Sequence, residues 1–376
     1  MTMNDLALQW TPRLTALMQQ SVGLSDPNPR VACMIQTLDG TRFEGHTQAA
    51  GSAHAEVHAL QAARAAGAVL QGAHVWVTLE PCSHHGRTPP CCDALIEAGV
   101  GHVTVALQDP NPLVAGQGLA RLRAAGIGVT LLQTDHLLAQ ASRAMNIGFL
   151  SRMQRRRPWV RLKMACSLDG TTALSNGESQ WITSAQARHD GHAWRQRANA
   201  ILTGVGTLIA DDPRLTVRGW PVRQQPMRVV VDAQLSTPAQ AQVLRSDAPV
   251  WIFTRQTERP AWTQAPHIQV HTTGHGTQGK VDLPALLTPL AQAGVNELHV
   301  EAGHKLAGSW VREGLVDEIL IYMAPTLLGP GMGLLNLGPL SSLAQGVRLE
   351  WLETERIGPD LRLRLLSAQG AAFWSA

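Results

Sequence analysis

Along most of its length this chain alternates helix-period and strand-period hydrophobic segments, and that alternation limits the fold more than any other feature. Leu6–Gln20 has helical spacing, Arg30–Thr37 reads as a strand, and His54–Gly67 is an Ala-rich helix stopped by glycine. Strands at His74–Leu79, Val103–Leu107 and Val129–Leu132 then alternate with helices at Asp93–Ala98 and Leu119–Ala125. This order predicts a mostly parallel sheet covered by helices, a three-layer α/β domain. A second series follows Ser151–Pro158, whose Arg155-Arg156-Arg157-Pro158 run reads as a linker. Strands are predicted at Trp159–Ala165, Ala200–Thr203, Met227–Val231, Val250–Phe253, Ile268–His271, Glu297–Val300 and Glu318–Tyr322, with a closing pair near Arg348–Glu355 and Leu361–Leu366. Helices are predicted at Ser184–Ala198, Pro284–Ala293 and Lys305–Glu313. With 376 residues, two α/β domains are expected, 1–150 and 159–376, joined by 151–158.

The chemistry in the first domain lies at two strand-to-helix junctions. His54-Ala55-Glu56 opens one helix, and Pro81-Cys82 with the Cys91-Cys92 pair precedes another. One imidazole and two thiolates make a catalytic zinc set that leaves a fourth position for water. Helix N-termini at both junctions favour thiolate and hydroxide. A carboxylate beside such a metal is the machinery of hydrolytic deamination at an amino-substituted ring carbon. A metalloprotease motif would need Glu directly after the first His, so His58 reads as a neighbour and not a ligand. The spacing leaves Cys91 and Cys92 as alternatives for the third ligand. Between the cysteines, Ser83-His84-His85-Gly86-Arg87-Thr88 forms an inserted loop rich in donors for a phosphorylated substrate.

Bulk properties narrow the substrate. Residues 1–154 hold nine Arg and no Lys against ten Asp/Glu, so the zinc domain shows no basic surplus for a polynucleotide. A small molecule is expected, with no nucleic-acid or membrane partner. Five cysteines without a signal-like start argue for reduced thiols and a metal in a cytoplasmic protein, and Cys33 and Cys166 read as core residues. A homo-oligomer is expected.

Leu79-Glu80-Pro81-Cys82-Ser83-His84-His85-Gly86-Arg87-Thr88-Pro89-Pro90-Cys91, continued by Gln108-Asp109-Pro110-Asn111-Pro112, resembles the bifunctional riboflavin-biosynthesis deaminase–reductases. The resemblance extends to Lys163-Met164-Ala165-Cys166-Ser167-Leu168-Asp169-Gly170, Gly177-Glu178-Ser179-Gln180-Trp181-Ile182-Thr183 and the 210–218 segment, and so covers nearly the whole chain. It implies a cytidine-deaminase-like domain followed by a dihydrofolate-reductase-like one. It also implies Zn2+ on His54, Cys82 and Cys91, with Glu56 as proton shuttle and Asn28 against the pyrimidine. Ala32 stands where the family usually has glycine, and the Glu44-Gly45-His46 stretch is shorter than usual, which weakens any role for His46.

No dinucleotide fingerprint marks the second domain: Gly116-Gln117-Gly118 has Arg121 in the third glycine position and lies in the first domain, and Thr203-Gly204-Val205-Gly206-Thr207 is too short. Glu301-Ala302-Gly303 does form a glycine-bearing strand-to-helix junction whose free N–H groups suit phosphate. The resemblance implies an NADPH site lined by Ala165, Trp181, Thr207, Asp211, Gly303, His304, Lys305, Leu306, Ala307, Gly308 and Ser309. Ser179, Arg195, Leu215, Arg218 and Glu301 are implied in substrate contact, the arginines suiting its phosphate. Lys305 lies in the cofactor loop without being required by the family pattern. Asp211 and Glu301 are candidates for the proton donor.

Overall fold

The computed structural model describes residues 3–83, 90–111, 115–245, 248–274, 276 and 279–376. The chain divides into two compact units, Met1–Arg155 and Arg156–Ala376. Among the described residues no helix is long and apolar enough to cross a membrane.

The first unit runs α1 (Met3–Gln19), β1 (Ala32–Gln36), β2 (Arg42–His46), α2 (Ala55–Ala65), β3 (His74–Val77), α3 (Cys91–Glu97), β4 (His102–Val105), α4 (Gln117–Ala124), β5 (Gly128–Leu131) and α5 (Leu137–Arg155). Its five strands lie in the order β2-β1-β3-β4-β5. β1 is antiparallel to both neighbours, while β3, β4 and β5 are parallel. Alternation along β1 builds the three layers. Cys33 and Ile35 join Val75 and Val77 in a core with Ala59, Leu60, Leu95, Leu119 and Leu122 of α2, α3 and α4. Ala32 and Met34 face the other way and pack with Trp76 against Leu14, Leu17 and Met18 of α1 and Leu138 and Met145 of α5. Emptying one of these sites by Leu→Ala costs about 2–5 kcal/mol.

Two elements of this unit are absent from the sequence reading. β2 packs so closely on α2 that a Cβ on Gly45 would lie 2.2 Å from the Ala55 carbonyl oxygen, hence the glycine. α5 escapes a hydrophobic-period reading because its buried face includes Ser142, Asn146, Gly148 and Ser151. Ser142 Oγ donates to the Thr78 carbonyl at 2.5 Å, and Asn146 both accepts from Arg30 N (2.7 Å) and donates to Arg30 O (3.0 Å). The stretch read as linker from Ser151 is therefore helical through Arg155.

The second unit contains β6 (Trp159–Ser167), β7 (Thr171–Leu174), α6 (Ala185–Arg197), β8 (Ala200–Gly204), α7 (Val205–Asp211), β9 (Met227–Val231), β10 (Val250–Thr254), β11 (Ile268–Thr272), α8 (Leu287–Gln292), β12 (Glu297–Val300), α9 (His304–Arg312), β13 (Glu318–Ala324), β14 (Gly331–Gly333), β15 (Leu349–Ile357), β16 (Asp360–Ser367) and α10 (Ala368–Ser375). Nine strands form one sheet in the order β11-β10-β9-β8-β12-β6-β13-β16-β15, and β7 pairs with β14 separately. Seven strands from β11 to β13 are mutually parallel, and the β15–β16 hairpin closes the edge antiparallel. One sheet face is apolar, with Val160, Leu162, Met164, Leu298, Val300 and Ile319 in a core that includes Leu287 and Leu290 of α8 and Ala307 and Trp310 of α9. The period-two alternation turns Arg161 and Lys163 of β6 to the opposite face. There Arg161 is buried between Glu297 (2.8 Å) and Glu318 (2.9 Å).

Candidate active sites

In the first unit, the start of α2, the exit of β3 and the start of α3 converge. His54 is the N-cap of α2, Cys82 follows β3, and Cys91 is the first residue of α3. His54 Nδ1 lies 3.6 Å from Cys82 Sγ and 3.3 Å from Cys91 Sγ, and the three ligand atoms all lie within 4.8 Å of one another. Ligands bound tetrahedrally to zinc at normal bond lengths sit about 3.6 Å apart, so this set fits the ion. The hydrogen bond from Cys91, with His54 beside it, draws the Cys82 thiol down to about 4 against its burial. Cys92 turns away, its Sγ donating to the carbonyls of Pro81 (3.2 Å) and Gly118 (3.6 Å). That geometry selects Cys91 from the two alternatives.

Glu56, 4 % exposed, lies in the first turn of α2 beside this set. Burial first, then the Cys82 thiolate, pushes its carboxyl up to about 7. A cavity of about 470 Å³ opens onto His54, Glu56 and Cys82 and is also lined by Asn28, Asp109, Asn111 and Phe149. Asn28 thus stands in the same cavity as the metal set. His46 does not line it; its ring meets His58 edge-on at 5.3 Å, and its backbone N–H points at His58 Nδ1 (3.4 Å). The His84–Thr88 segment lies outside the described residues.

In the second unit the implied residues gather at the carboxyl ends of β6, β8 and β12, where open α/β sheets bind ligands. Glu301 follows β12, its N–H donating to Leu202 of β8 at 2.8 Å. The Arg195 fork of α6 grips it at 2.5 and 2.8 Å and also donates to the Thr216 carbonyl at 2.9 Å. Arg195 is therefore paired with Glu301, while exposed Arg218 has its Nη1 3.3 Å from Thr216 Oγ1. Burial raises the Glu301 carboxyl, but Arg195, His299 and Lys163 outweigh it and hold the group well below the usual carboxylate range. Glu301 is thus held as an anion by the Arg195 fork. Asp211, the other candidate, is exposed at the end of α7.

Glycines shape the neighbouring surface. Gly303 caps α9 with no side-chain bond to its free amides, and a Cβ there would stand 3.7 Å from Thr207 Oγ1. A Cβ on Gly204 would come within 2.8 Å of Leu306 Cδ2, so the two junctions approach each other. Ala307 packs into the core, Gly308 abuts the Asn336 backbone and Ser309 is buried with its Oγ on the Lys305 carbonyl. Only the first residues of the 303–309 segment are left open to a ligand. Leu215 is buried with φ +50°, a costly conformation for a side chain of its size. Trp181 is 69 % exposed beneath the Arg188 guanidinium (4.4 Å), which excludes a core role, and Ser179 is half-buried in the same segment. Ala165 is half-buried in β6, paired with Tyr322. The sequence reading assigned nothing to Lys163, whose pKa burial lowers beside Glu301. Its one signal was a lysine between two core positions of a strand, Leu162 and Met164.

Comparison with known proteins accounts for both units. Residues 7–107 match the cytidine and deoxycytidylate deaminase zinc-binding region, and residues 158–363 match the RibD C-terminal domain. Riboflavin biosynthesis protein RibD of Escherichia coli is 42% identical over 372 residues, covering 95% of this chain and 98% of that protein. RibD of Acinetobacter baumannii superposes with a TM-score of 0.87 at 37% identity over 97% of this chain and 100% of that one. A Thermotoga maritima structure described as a diaminohydroxyphosphoribosylaminopyrimidine deaminase/5-amino-6-(5-phosphoribosylamino)uracil reductase gives 0.87 at 28% identity over 98% of this chain and 100% of its own. The chain belongs to the RibD family of bifunctional riboflavin-biosynthesis enzymes, a zinc-dependent deaminase joined to a reductase.

Proposed function

We propose that the first unit removes an amino group from 2,5-diamino-6-(5-phosphoribosylamino)pyrimidin-4-one, and that the second reduces the ribosyl group of the resulting 5-amino-6-(5-phosphoribosylamino)uracil with NADPH. The observation that carries the first step is the buried Glu56 carboxyl lining the same cavity as the His54–Cys82–Cys91 set. Zinc held by those three residues supplies a Lewis acid that acidifies water toward neutrality. With zinc in place, Glu56 would take one proton from the attacking water and give it to the ring nitrogen, then take the proton of the newly added hydroxyl and pass it to the departing amino group, which leaves as ammonia. Asn28 holds the pyrimidine edge.

For the second step NADPH supplies a hydride to C1′ of the open-chain imine. The amides at the start of α9 and the close Gly204 and Gly303 junctions suit its phosphates, with Thr207 and Trp181 at the rim. Arg218 faces the substrate phosphate. Glu301, fixed by Arg195, orients the ribosyl hydroxyls, and Lys163 is the buried group able to give the balancing proton to the exocyclic nitrogen.

The test is one incubation with the diaminopyrimidine, with and without NADPH. Ammonia release is expected to be independent of NADPH, and NADPH oxidation to follow deamination. Ammonia release that requires NADPH, or NADPH oxidation on the undeaminated compound at an equal rate, would overturn the assignment.

A further inference from the structure

Glu80 sits two residues before Cys82, is 3 % exposed, and has no place in the chemistry above. Its carboxylate accepts four backbone N–H groups from another part of the chain. Oε2 takes Asp109 N (3.2 Å) and Gly116 N (3.0 Å), and Oε1 takes Gly118 N (2.8 Å) and Leu119 N (3.2 Å). Every lone-pair site of an ionised carboxylate is thus used on backbone amides. The first of these amides belongs to the Asp109–Asn111 wall of the deaminase cavity, and the others to the entry and first turn of α4.

Independent contacts tie α4 to both cysteine segments. A Cβ on Gly118 would fall 2.2 Å from the Pro81 carbonyl, and the Cys92 thiol bridges those two residues. Arg121 of α4 donates to the Ser83 carbonyl (3.2 Å) and pairs with Asp93 of α3 (2.7 Å). Eight residues separate the two cysteines, so the segment between them does not by itself set their spacing from the opposite wall. α4 spans that gap.

We propose that Glu80 is a positioning residue of the deaminase: it fixes the Asp109–Asn111 wall at a set distance from the Cys82 rim, so that the cavity is shaped for its pyrimidine before substrate arrives. The inference rests on the deaminase reading of this cavity, which wild-type ammonia release tests separately. Glu80→Gln turns one oxygen into a donor facing two N–H groups and releases half of the clamp. Asp109 and Asn111 stand outside the metal set, so the variant keeps its zinc while its KM for the diaminopyrimidine rises roughly tenfold or more, with a smaller change in kcat.

Zinc content and NADPH oxidation on the aminouracil, measured on the same sample, report folding of each unit. Glu80→Asp, which keeps the charge on a shorter arm, is expected to fall between wild type and Glu80→Gln. Hydrogen exchange of wild-type protein supplies a readout needing no variant: the amides of residues 109, 116, 118 and 119 should be protected to a similar degree. Unchanged KM in a zinc-loaded Glu80→Gln protein would overturn the proposal. So would loss of folded protein with KM unchanged in the remainder, or wild-type amides at these positions exchanging like open loop.

Discussion

Glu56 and Glu301 are both buried glutamates beside a reaction site, and the two halves of the molecule drive them in opposite directions. Among the described residues Glu56 forms no ion pair with an Arg or Lys, and burial lifts its carboxyl to about 7. Glu301 is less deeply buried, its side chain 18 % exposed, and the Arg195 fork holds it well below the usual range. Desolvation is common to both, and the partner decides the outcome. A deamination needs a group that loses and regains protons, whereas a ribosyl reduction needs a fixed anion to hold hydroxyls. Under the proposed function one residue type serves as a shuttle in one unit and as a fixed charge in the other.

The largest expected effect breaks the shuttle. Glu56→Gln should lower ammonia release by roughly 10²–10⁴-fold while zinc content and NADPH oxidation on supplied aminouracil stay at wild-type levels. Ammonia release within a few-fold of wild type would mean that another group moves the proton.

A second substitution should make Glu301 resemble Glu56. Arg195→Gln leaves the carboxylate buried without its fork and should cost the second unit about 3–5 kcal/mol, read as a lower Tm. Its pH dependence should also weaken. With Arg195 present, the depressed Glu301 pKa contributes stability above the unfolded value that is lost as pH falls through the folded one. Without Arg195 only His299 and Lys163 remain to hold the pKa down, so less stability is lost as pH falls. An unchanged pH profile of Tm and of NADPH oxidation would show that Arg195 does not set the Glu301 charge.

The smallest effect concerns a histidine remote from both sites. His74 stacks on Trp76 at 3.9 Å, and burial, then His102, lowers its pKa to about 4. Below about pH 6.5 the unfolded chain takes a proton that the folded one refuses, so stability should fall between roughly pH 6.5 and 4. His74→Gln should flatten that loss in the first unit by a degree or two of Tm. Equal slopes for the two proteins would count against the assignment.

Much of this protein is legible in one dimension. The alternation of periods gives the strands from β3 to β5 and the parallel core of the second unit, because buried strands and helices must each present apolar residues at their own repeat. His54, Glu56 and Cys82 are readable because zinc and proton transfer accept few residue types at strand-to-helix junctions. β2 and α5 were not, because one is held by a glycine contact and the other buries a polar stripe against backbone. The same limit applied to Arg195, whose charge alone suits phosphate equally well.

The sequence by itself determined most of the elements, the two-unit order and the residue types available to hold zinc, since these depend on residue type and local spacing. Only the tertiary structure decided between Cys91 and Cys92, committed Arg195 to Glu301 and bound Glu80 to four distant amides. Each of those outcomes depends on which groups, far apart in the chain, come within hydrogen-bond reach after burial has removed water as the alternative partner.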